Sequence, residues 1–159
     1  MGDDLARLEE WFGQILRGLS PAERRRATLK LGQALRKSNL ARIRDNVQPD
    51  GSAMEPKKAR LDKRGRLRVA AGGKMFQGLR YAKHWRIDAA EDGVEILPIG
   101  KVATHTASIH HFGETVTVGR LRNGGRIRAK LPERRMLGFS EADIQTALSI
   151  AADLLEPDA

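Results

Sequence analysis

The stretch ASIHHFGETVTVGRLRNGGRIRAKLPERRMLGFSEAD, residues 107–143, decides how the rest of this chain is organised. Valine alternates with threonine over residues 115–118, and apolar residues alternate with Arg and Lys over residues 126–131, as in two β-strands. The Asn-Gly-Gly sequence at residues 123–125 tolerates positive φ and supplies a turn. The pattern therefore predicts a β-hairpin over residues 114–132 whose return strand has a wholly cationic face.

The hairpin is also predicted to project beyond the core. Val116 and Val118 are expected to share a face with Arg120 and Arg122, so the apolar face becomes charged toward the tip. A sheet face that positive is either solvated or complemented by an acidic partner.

Composition limits the class of protein. A chain of 159 residues can bury one core, so we expect a single domain over residues 1–159. The absence of cysteine excludes disulfides, thiolate metal sites and cysteine nucleophiles. No apolar run approaches the roughly 18 residues of a spanning helix, and the N-terminus is acidic where a signal peptide would be basic. These features favour a soluble, intracellularly made protein with no membrane partner.

The net charge of +9 is unevenly distributed along the chain. Residues 20–80 carry +12 and residues 81–135 carry +4, whereas residues 1–19 carry −2 and residues 136–159 carry −5. This distribution indicates a polarised surface, which nucleic acid, an acidic protein surface or the acidic end of another copy would complement.

Two helices are predicted at the N-terminus. Apolar residues recur at steps of three and four within residues 1–19, which indicates an amphipathic helix. Ser20 and Pro21 then form an N-cap signal, and Glu23 completes a capping box for a second helix that runs to about Asp45.

The second helix has two apolar stripes. Ala27, Leu31 and Leu35 belong to one, and Leu40 and Ile43 are turned away from it. Two interpretations stay open: the helix wraps its own core, or its second side contacts another subunit.

A turn and a basic segment follow. Pro49, Asp50 and Gly51 have the residue types that fix a tight turn. Residues 52–73 are rich in Lys and Arg without a sustained period, which predicts a mobile basic loop. Residues 74–81 are predicted to form a short helix.

The remaining elements complete an α+β fold. Residues 85–89 and 94–98 alternate as strands, residues 100–106 are predicted to be a polar connection, and residues 107–112 a single helical turn. Ser140 begins a capped final helix. The expected architecture is two N-terminal helices, a small antiparallel sheet with a projecting basic hairpin, and a C-terminal helix.

The residue pattern gives little support to an enzyme or a metal site. His105, His110 and His111 lack the spacing of an established zinc site, and Ser108 near His110 lacks the surroundings of a nucleophile. We therefore expect no catalytic residue, metal or cofactor. The alternative function is a basic nucleic-acid-binding protein, although few aromatic residues accompany the charges as stacking platforms.

Several motifs resemble those of the phage virion morphogenesis family, which includes the tail completion proteins of contractile-tailed and Mu-like phages. The resemblance covers roughly residues 20–155. Its carriers are Arg42-Ile43-Arg44, Pro49-Asp50-Gly51-Ser52, Met75-Phe76 with Leu79, Ile109-His110-His111-Phe112-Gly113, and Arg134-Arg135-Met136-Leu137-Gly138-Phe139-Ser140 with Asp143. One departure is Met54, at a place where family members often carry tryptophan.

The resemblance implies a structural virion protein at the head-tail junction, a tail completion or tail terminator (neck) subunit without enzymatic activity or cofactor. It implies a homo-oligomeric ring, typically a hexamer, that contacts tail tube and sheath proteins and head-tail connector proteins. Non-specific contact with genomic DNA is a further expectation. Such a protein would be assembled in the host bacterial cytoplasm and end in the tail-neck region of the virion.

Two groups of site residues follow from combining the hairpin with the resemblance. We expect an interface with the next subunit or the tail tube to involve Arg120, Arg122, Arg126, Arg128, Lys130, Arg134 and Arg135. The residues expected to shape turns are His110, Phe112, Gly113, Pro49, Asp50 and Gly51.

Overall fold

The structure is a computed structural model that describes residues 2–61, 64–69 and 73–155. Its helices are α1 (Gly2–Arg17), α2 (Pro21–Asp45), α3 (Lys101–His111) and α4 (Glu141–Leu155). Its strands are β1 (Arg60–Leu61), β2 (Leu67–Val69), β3 (Trp85–Ala89), β4 (Val94–Pro98), β5 (Thr115–Arg120) and β6 (Arg126–Lys130). The predicted α+β class, with two N-terminal helices and a C-terminal helix, is confirmed.

The strands pair only with their neighbours in sequence. Within the described residues they form three two-stranded sheets, β1-β2, β3-β4 and β5-β6, where the sequence suggested one small sheet. Each of these pairs joins two strands that follow one another in the chain.

The chain divides into two compact units, with the boundary inside α2 between Ser38 and Asn39. The first unit consists of the described residues within Met1–Ser38, Trp85–Leu97 and Phe139–Ala159. The second consists of those within Asn39–His84 and Pro98–Gly138. The first apolar stripe of α2 therefore lies in one unit and the second stripe in the other. That the whole chain forms one domain stays a prediction.

The first unit has a core of small and large apolar side chains. Phe12 and Leu16 of α1 pack with Ala27 of α2 and Ala151 of α4. The small side chains of Ala27 and Ala151 are almost completely buried, at 1% and 0% exposure, beside the larger side chains of α1.

Both predicted capping boxes are present. The Ser20 amide donates to Glu23 Oε2 over 2.8 Å, and the Glu23 amide donates to Ser20 Oγ over 3.4 Å. At α4 the Ser140 amide donates to Asp143 Oδ2 over 2.8 Å, and the Asp143 amide donates to Ser140 Oγ over 3.2 Å. Each box satisfies amide groups that the first helical turn would leave without partners.

The α2 backbone lies directly against the β3-β4 hairpin in the first unit. A Cβ atom at Gly32 would lie 2.5 Å from Val94 Cγ2 and 2.8 Å from Ile87 Cγ2. Beside this contact, buried Thr28 donates from its hydroxyl to the carbonyl of Ala90 over 2.7 Å. A glycine in the middle of a helix is thus required here for packing.

One predicted helix is wrong. Residues 77–80 form turns rather than a helix, and a short 3₁₀-helix follows at Ala82–His84. Phe76 has a φ of 58°, which no right-handed helix can accommodate, and its ring is buried. Burial of this aromatic residue overrides the apolar spacing that suggested a helix.

A second correction concerns residues 100–112. The predicted polar connection and single helical turn are in fact one helix, α3, of 11 residues. The helix begins after Gly100, which has a φ of 88° and provides no side-chain cap. Among the described residues of α3 only Ala107 is buried, so the sequence contained neither a cap nor an apolar stripe from which the helix could be predicted.

The segment 52–73 is only partly described. Residues 62–63 and 70–72 lie outside the described residues, and β1 and β2 pair antiparallel within the rest. The pair was missed because its strands have two and three residues, too short to show a period. The predicted mobility of this segment stays a prediction.

Replacing Gly32 by alanine should destabilise the protein, because the new methyl group overpacks the contact with Val94 at a cost of about 1–3 kcal/mol. The matched control is Gly13→Ala in α1, where nothing lies within 4 Å of the added Cβ. That variant should gain about 0.5–1 kcal/mol from helix propensity. Urea unfolding of both variants measures the difference, and equal effects at the two sites would contradict the close packing of α2.

Candidate functional site

The two strands of the basic hairpin lie within residues 114–132, where the sequence predicted them. Strands β5 and β6 pair antiparallel, with Thr115 opposite Lys130 and Thr117 opposite Arg128. In the turn, Leu121 donates to the carbonyl of Gly125 over 2.7 Å, and Gly124 has a φ of 85°. The turn therefore forms at the Asn-Gly-Gly sequence, as predicted.

A β-bulge changes which residues share a face. Thr117 pairs with Arg128 but Gly119 pairs with Ile127, so Val118 is an extra residue on β5. As a result Arg120 lies opposite Arg126. The prediction that Arg120 continues the face of Val116 and Val118 is therefore wrong.

The bulge completes a cationic face on the ribbon. Directly opposed residues of an antiparallel pair lie on the same side, and alternate residues of one strand do so too. The four cations on one side are Arg120, Arg126, Arg128 and Lys130. Arg122 lies in the turn beyond the paired strands. This arrangement places like charges across from each other, which is unfavourable without an anion.

These five cations are open to a partner. All of their side chains are exposed, and none forms an ion pair with an acidic residue in the part of the chain that the structure describes. Val118, Leu121 and Ile127 are exposed as well, at 57%, 53% and 42%. The hairpin therefore combines charge with exposed apolar area, which is typical of an interaction surface.

Arg134 has a different environment from the hairpin cations. It is 3% exposed, and its Nε donates to the carbonyl of Glu55 over 2.6 Å, while Nη2 donates to the carbonyl of Pro56 over 3.3 Å. Its Nη1 lies 3.2 Å from His110 Nδ1. The guanidinium is used within the second unit and is not available to a partner, so we leave Arg134 out of the interface.

The contact with Arg134 fixes the protonation state of His110. Arginine has only donors, so His110 Nδ1 must accept and the ring proton must be on Nε2. Burial lowers the pKa of His110, and the neighbouring charge of Arg134 lowers it further. The edge of the Phe76 ring packs against the imidazole at a centroid distance of 5.0 Å.

The adjacent histidine has a similar role one step along the chain. The Met136 amide donates to His111 Nδ1 over 3.3 Å. Burial lowers the pKa of His111, with a smaller contribution from Arg135. His110 and His111 thus hold residues 134–136, which connect the hairpin to the final helix.

Five of the residues predicted to shape turns lie in turns or bends, whereas His110 lies in the last turn of α3. Asp50 Oδ1 accepts from the Ser52 amide over 2.9 Å, and Gly51 has a φ of 87°. Gly113 has a φ of 63°, and a Cβ there would lie 3.0 Å from the Glu133 amide nitrogen. Phe112 caps α3 through its backbone while its side chain is 69% exposed.

The Pro49 turn packs tightly against the segment after the hairpin. A Cβ at Gly138 would lie 2.7 Å from Pro49 Cγ. Gly138 also donates from its amide to Asn39 Oδ1 over 3.0 Å and accepts at its carbonyl from Arg42 Nη2 over 2.9 Å. The Pro49-Asp50-Gly51-Ser52 motif and the Arg134–Ser140 motif are therefore in contact.

Sequence reasoning missed the two asparagines that organise this unit. Asn39 links Arg42 to Gly138, and Asn46 bonds Met75 at both its amide and its carbonyl, over 2.6 and 3.2 Å. Asn46 has a φ of 57° directly after α2. Its position was detectable, because asparagine is favoured in the left-handed conformation at a helix C-terminus.

The described residues offer no evident metal chemistry. Among residues 2–61, 64–69 and 73–155, no group of three or more His, Cys, Asp or Glu could hold a metal ion. Ser108 donates its hydroxyl to Glu114 Oε1 over 3.0 Å rather than contacting a histidine. No helix within these ranges is long and apolar enough to cross a membrane.

Comparison with known proteins gives one family and one relative. Residues 3–156 match the model of the phage virion morphogenesis family. The chain is 28% identical over 154 residues to tail completion protein S of Escherichia phage P2, with 97% of this chain and 99% of that protein covered. No solved structure matches the chain.

Replacing Arg134 by methionine should destabilise the protein by about 2–4 kcal/mol, because three acceptors, the carbonyls of Glu55 and Pro56 and Nδ1 of His110, lose their charged donor. The control is Arg135→Met, whose side chain is 64% exposed and pairs only with exposed Glu133. An exposed pair contributes little, so the urea midpoint of this variant should stay at the wild-type value. Similar losses of stability in the two variants would contradict the structural role of Arg134.

Stability should fall as the pH is lowered through the range below about 6.5, the pKa of a free histidine. In the folded protein the pKa values of His110 and His111 are depressed, so below this pH the unfolded chain binds more protons than the folded chain. The stability that is present above this pH is therefore lost on acidification. The replacement of both residues by glutamine should flatten this dependence, measured as the urea midpoint between pH 7.5 and 5. Exposed His105→Gln should retain it, and a drop that persists in the double variant would contradict the assignment.

Proposed function

Because the chain belongs to the phage virion morphogenesis family, we propose that it is a structural subunit that completes the phage tail. In this role it assembles into a ring, typically hexameric, at the head-proximal end of the tail. The ring closes the tail tube and offers a surface to the head-tail connector. The full-length match to tail completion protein S of phage P2 is the observation that carries the proposal.

The basic hairpin supports this function because its positive charges are not compensated within the described part of its own chain. Its cationic face is exposed and is not neutralised by described acidic residues of its own chain. A folded subunit that retains such a face gains from association with a complementary surface, which steers the encounter and sets the register of the contact. We assign the contact to the next subunit or the tail tube.

Arg122 and Arg135 extend this proposed interface at its two ends. Arg122 lies in the hairpin turn, and Arg135 is exposed directly after the hairpin and carries a local ion pair with Glu133. Arg134 between them has the internal role described above. The proposed interface therefore consists of Arg120, Arg122, Arg126, Arg128, Lys130 and Arg135.

The alternative of a nucleic-acid-binding protein rests on the same charges. Phosphate contacts would neutralise the ribbon face and give a salt-dependent affinity. The family assignment favours the structural role, with contact to the genome a secondary consequence of its place in the virion. A gel shift with random duplex DNA over a range of salt concentrations tests the alternative independently of particle assembly.

Charge reversal of Arg126 and Arg128 to glutamate in the phage's own gene should leave the subunit folded but block the joining of tails to heads. Folding is retained because both side chains are exposed and the opposed Arg120–Arg126 pair is relieved of its repulsion. Electron microscopy of the lysate should show full heads separate from tails, and the plaque titre should fall.

The matched control is the reversal of Arg7 and Lys37, which are exposed and lie outside the hairpin. It changes the net charge equally and should leave the titre unchanged. Normal particles from the Arg126 and Arg128 variant would refute the role of the hairpin.

A further inference from the structure

The cationic face of the β5-β6 hairpin lacks an acidic partner among the described residues, and the same chain exposes an acidic counterpart elsewhere. Arg120 opposes Arg126, and Arg128 and Lys130 continue the face. The first unit contains a second hairpin whose exposed charges have the opposite sign. The two surfaces lie on different units of the chain.

The counterpart, which we call the acidic turn, consists of Glu91 and Asp92 together with Glu95, the second residue of β4. Glu91 and Asp92 lie in the turn between β3 and β4, which is closed by a 2.8 Å bond from the Ala90 amide to the Gly93 carbonyl. All three side chains are exposed, and none forms an ion pair with a described residue.

The other acidic residue of this hairpin is already neutralised. Asp88 Oδ2 lies 2.8 Å from Arg86 Nη2. The carboxylates of this hairpin that have no ion pair among the described residues are therefore Glu91 and Asp92 in the turn and Glu95 near the start of β4.

More carboxylates lie beside the acidic turn. Glu9 and Glu10 of α1 line the same open groove of about 820 Å³ as Glu91 and Asp92. The groove is mixed in charge, since Arg17, Arg24 and Arg25 also line it. Arg24 is occupied, because it donates to the carbonyls of Leu19 and Arg17. We therefore assign the contact to the turn rather than to the groove as a whole.

We propose that the acidic turn of one copy docks on the cationic hairpin face of the next copy. This inference rests on the proposed function and names the partner surface within the ring. Because the two patches differ, the contact is head-to-tail, and a repeated head-to-tail contact closes into a ring when its rotation allows. Two hairpin faces cannot pair with each other, since that contact would bring together eight positive charges.

A second copy fits these observations better than duplex DNA does. Phosphates would also neutralise the ribbon, but they would leave the acidic turn without a role and would be repelled by it. Only a protein partner accounts for both uncompensated surfaces. The two classes of partner also predict opposite effects of changing the turn, because charge reversal there should not weaken DNA binding.

Charge exchange tests the contact. Variant one carries Arg126→Glu and Arg128→Glu, and variant two carries Glu91→Arg and Asp92→Arg. Each alone juxtaposes like charges, so light scattering at low salt should show self-association weakened by at least about a hundredfold. An equimolar mixture restores opposite charges at every contact and should assemble, and the chain that carries all four changes should assemble alone. If neither the mixture nor the fourfold variant assembles, the proposal is overturned.

Engineered disulfides give an independent test, because the natural chain contains no cysteine. A chain with Asp92→Cys mixed with a chain with Arg126→Cys should form a covalent heterodimer under mild oxidation, since the docked sites come within bonding reach. A chain with both changes should give a ladder that ends at the ring's copy number. The control, exposed Lys83→Cys in place of Asp92→Cys, should give no heterodimer. A disulfide confined to single chains, or none, counts against the docking.

Failure of this inference is distinguishable from failure of the proposed function. If the first variant prevents head-tail joining in phage but the second variant has normal titre, the hairpin functions with a partner other than the acidic turn. The tail completion role then stands and the docking does not. If neither variant affects particles, both are overturned.

Discussion

The second unit depends on one buried cation. Arg134 brings together the chain after the Pro49 turn, through the carbonyls of Glu55 and Pro56, and the end of α3, through His110. Its own amide donates to the carbonyl of His110 over 2.7 Å, so side chain and backbone hold the same contact. A buried guanidinium is tolerated only when its donors are satisfied, and this requirement fixes the relative positions of three segments that are distant in sequence.

The arginines of the hairpin are exposed, whereas Arg134 is buried. Within ten residues of Arg134, the arginines of β6 are left in solvent without an internal acid. The bulge at Val118 makes the face more concentrated in charge by moving Arg120 opposite Arg126. Such a face stabilises neither the strand pair nor the subunit by itself. Its charges keep the isolated subunit apart from like surfaces and favour contact with acidic ones, which suits a protein that associates during assembly.

The histidines that first suggested a site are used as hydrogen-bond acceptors, with Nδ1 of His110 facing Arg134 and Nδ1 of His111 facing the Met136 amide. They position the segment that leads from the hairpin into α4. His110, His111 and Arg134, which belong to the motifs that resemble the family, therefore have structural partners inside the second unit.

Short-range signals let the sequence alone determine much of the fold. Three signals act within a few residues of each other: the capping boxes of Ser20 with Glu23 and of Ser140 with Asp143, and the Asn-Gly-Gly turn. Helices α1, α2 and α4, the β5-β6 hairpin and the turn at residues 49–51 were therefore predictable. Helix α3 carries no such signal at Gly100, and the positive φ of Phe76 reflects burial rather than propensity.

The same distinction holds within the candidate site. The sequence shows which residues are cationic, but it does not distinguish Arg134 from its neighbour Arg135. Only the tertiary packing shows that Arg134 is buried and Arg135 is exposed. Likewise, strand alternation gave the cationic face of β6, whereas the bulge that adds Arg120 depends on cross-strand pairing. What the tertiary structure decided are these long-range contacts, because hydrogen bonds between residues some 80 positions apart leave no local pattern.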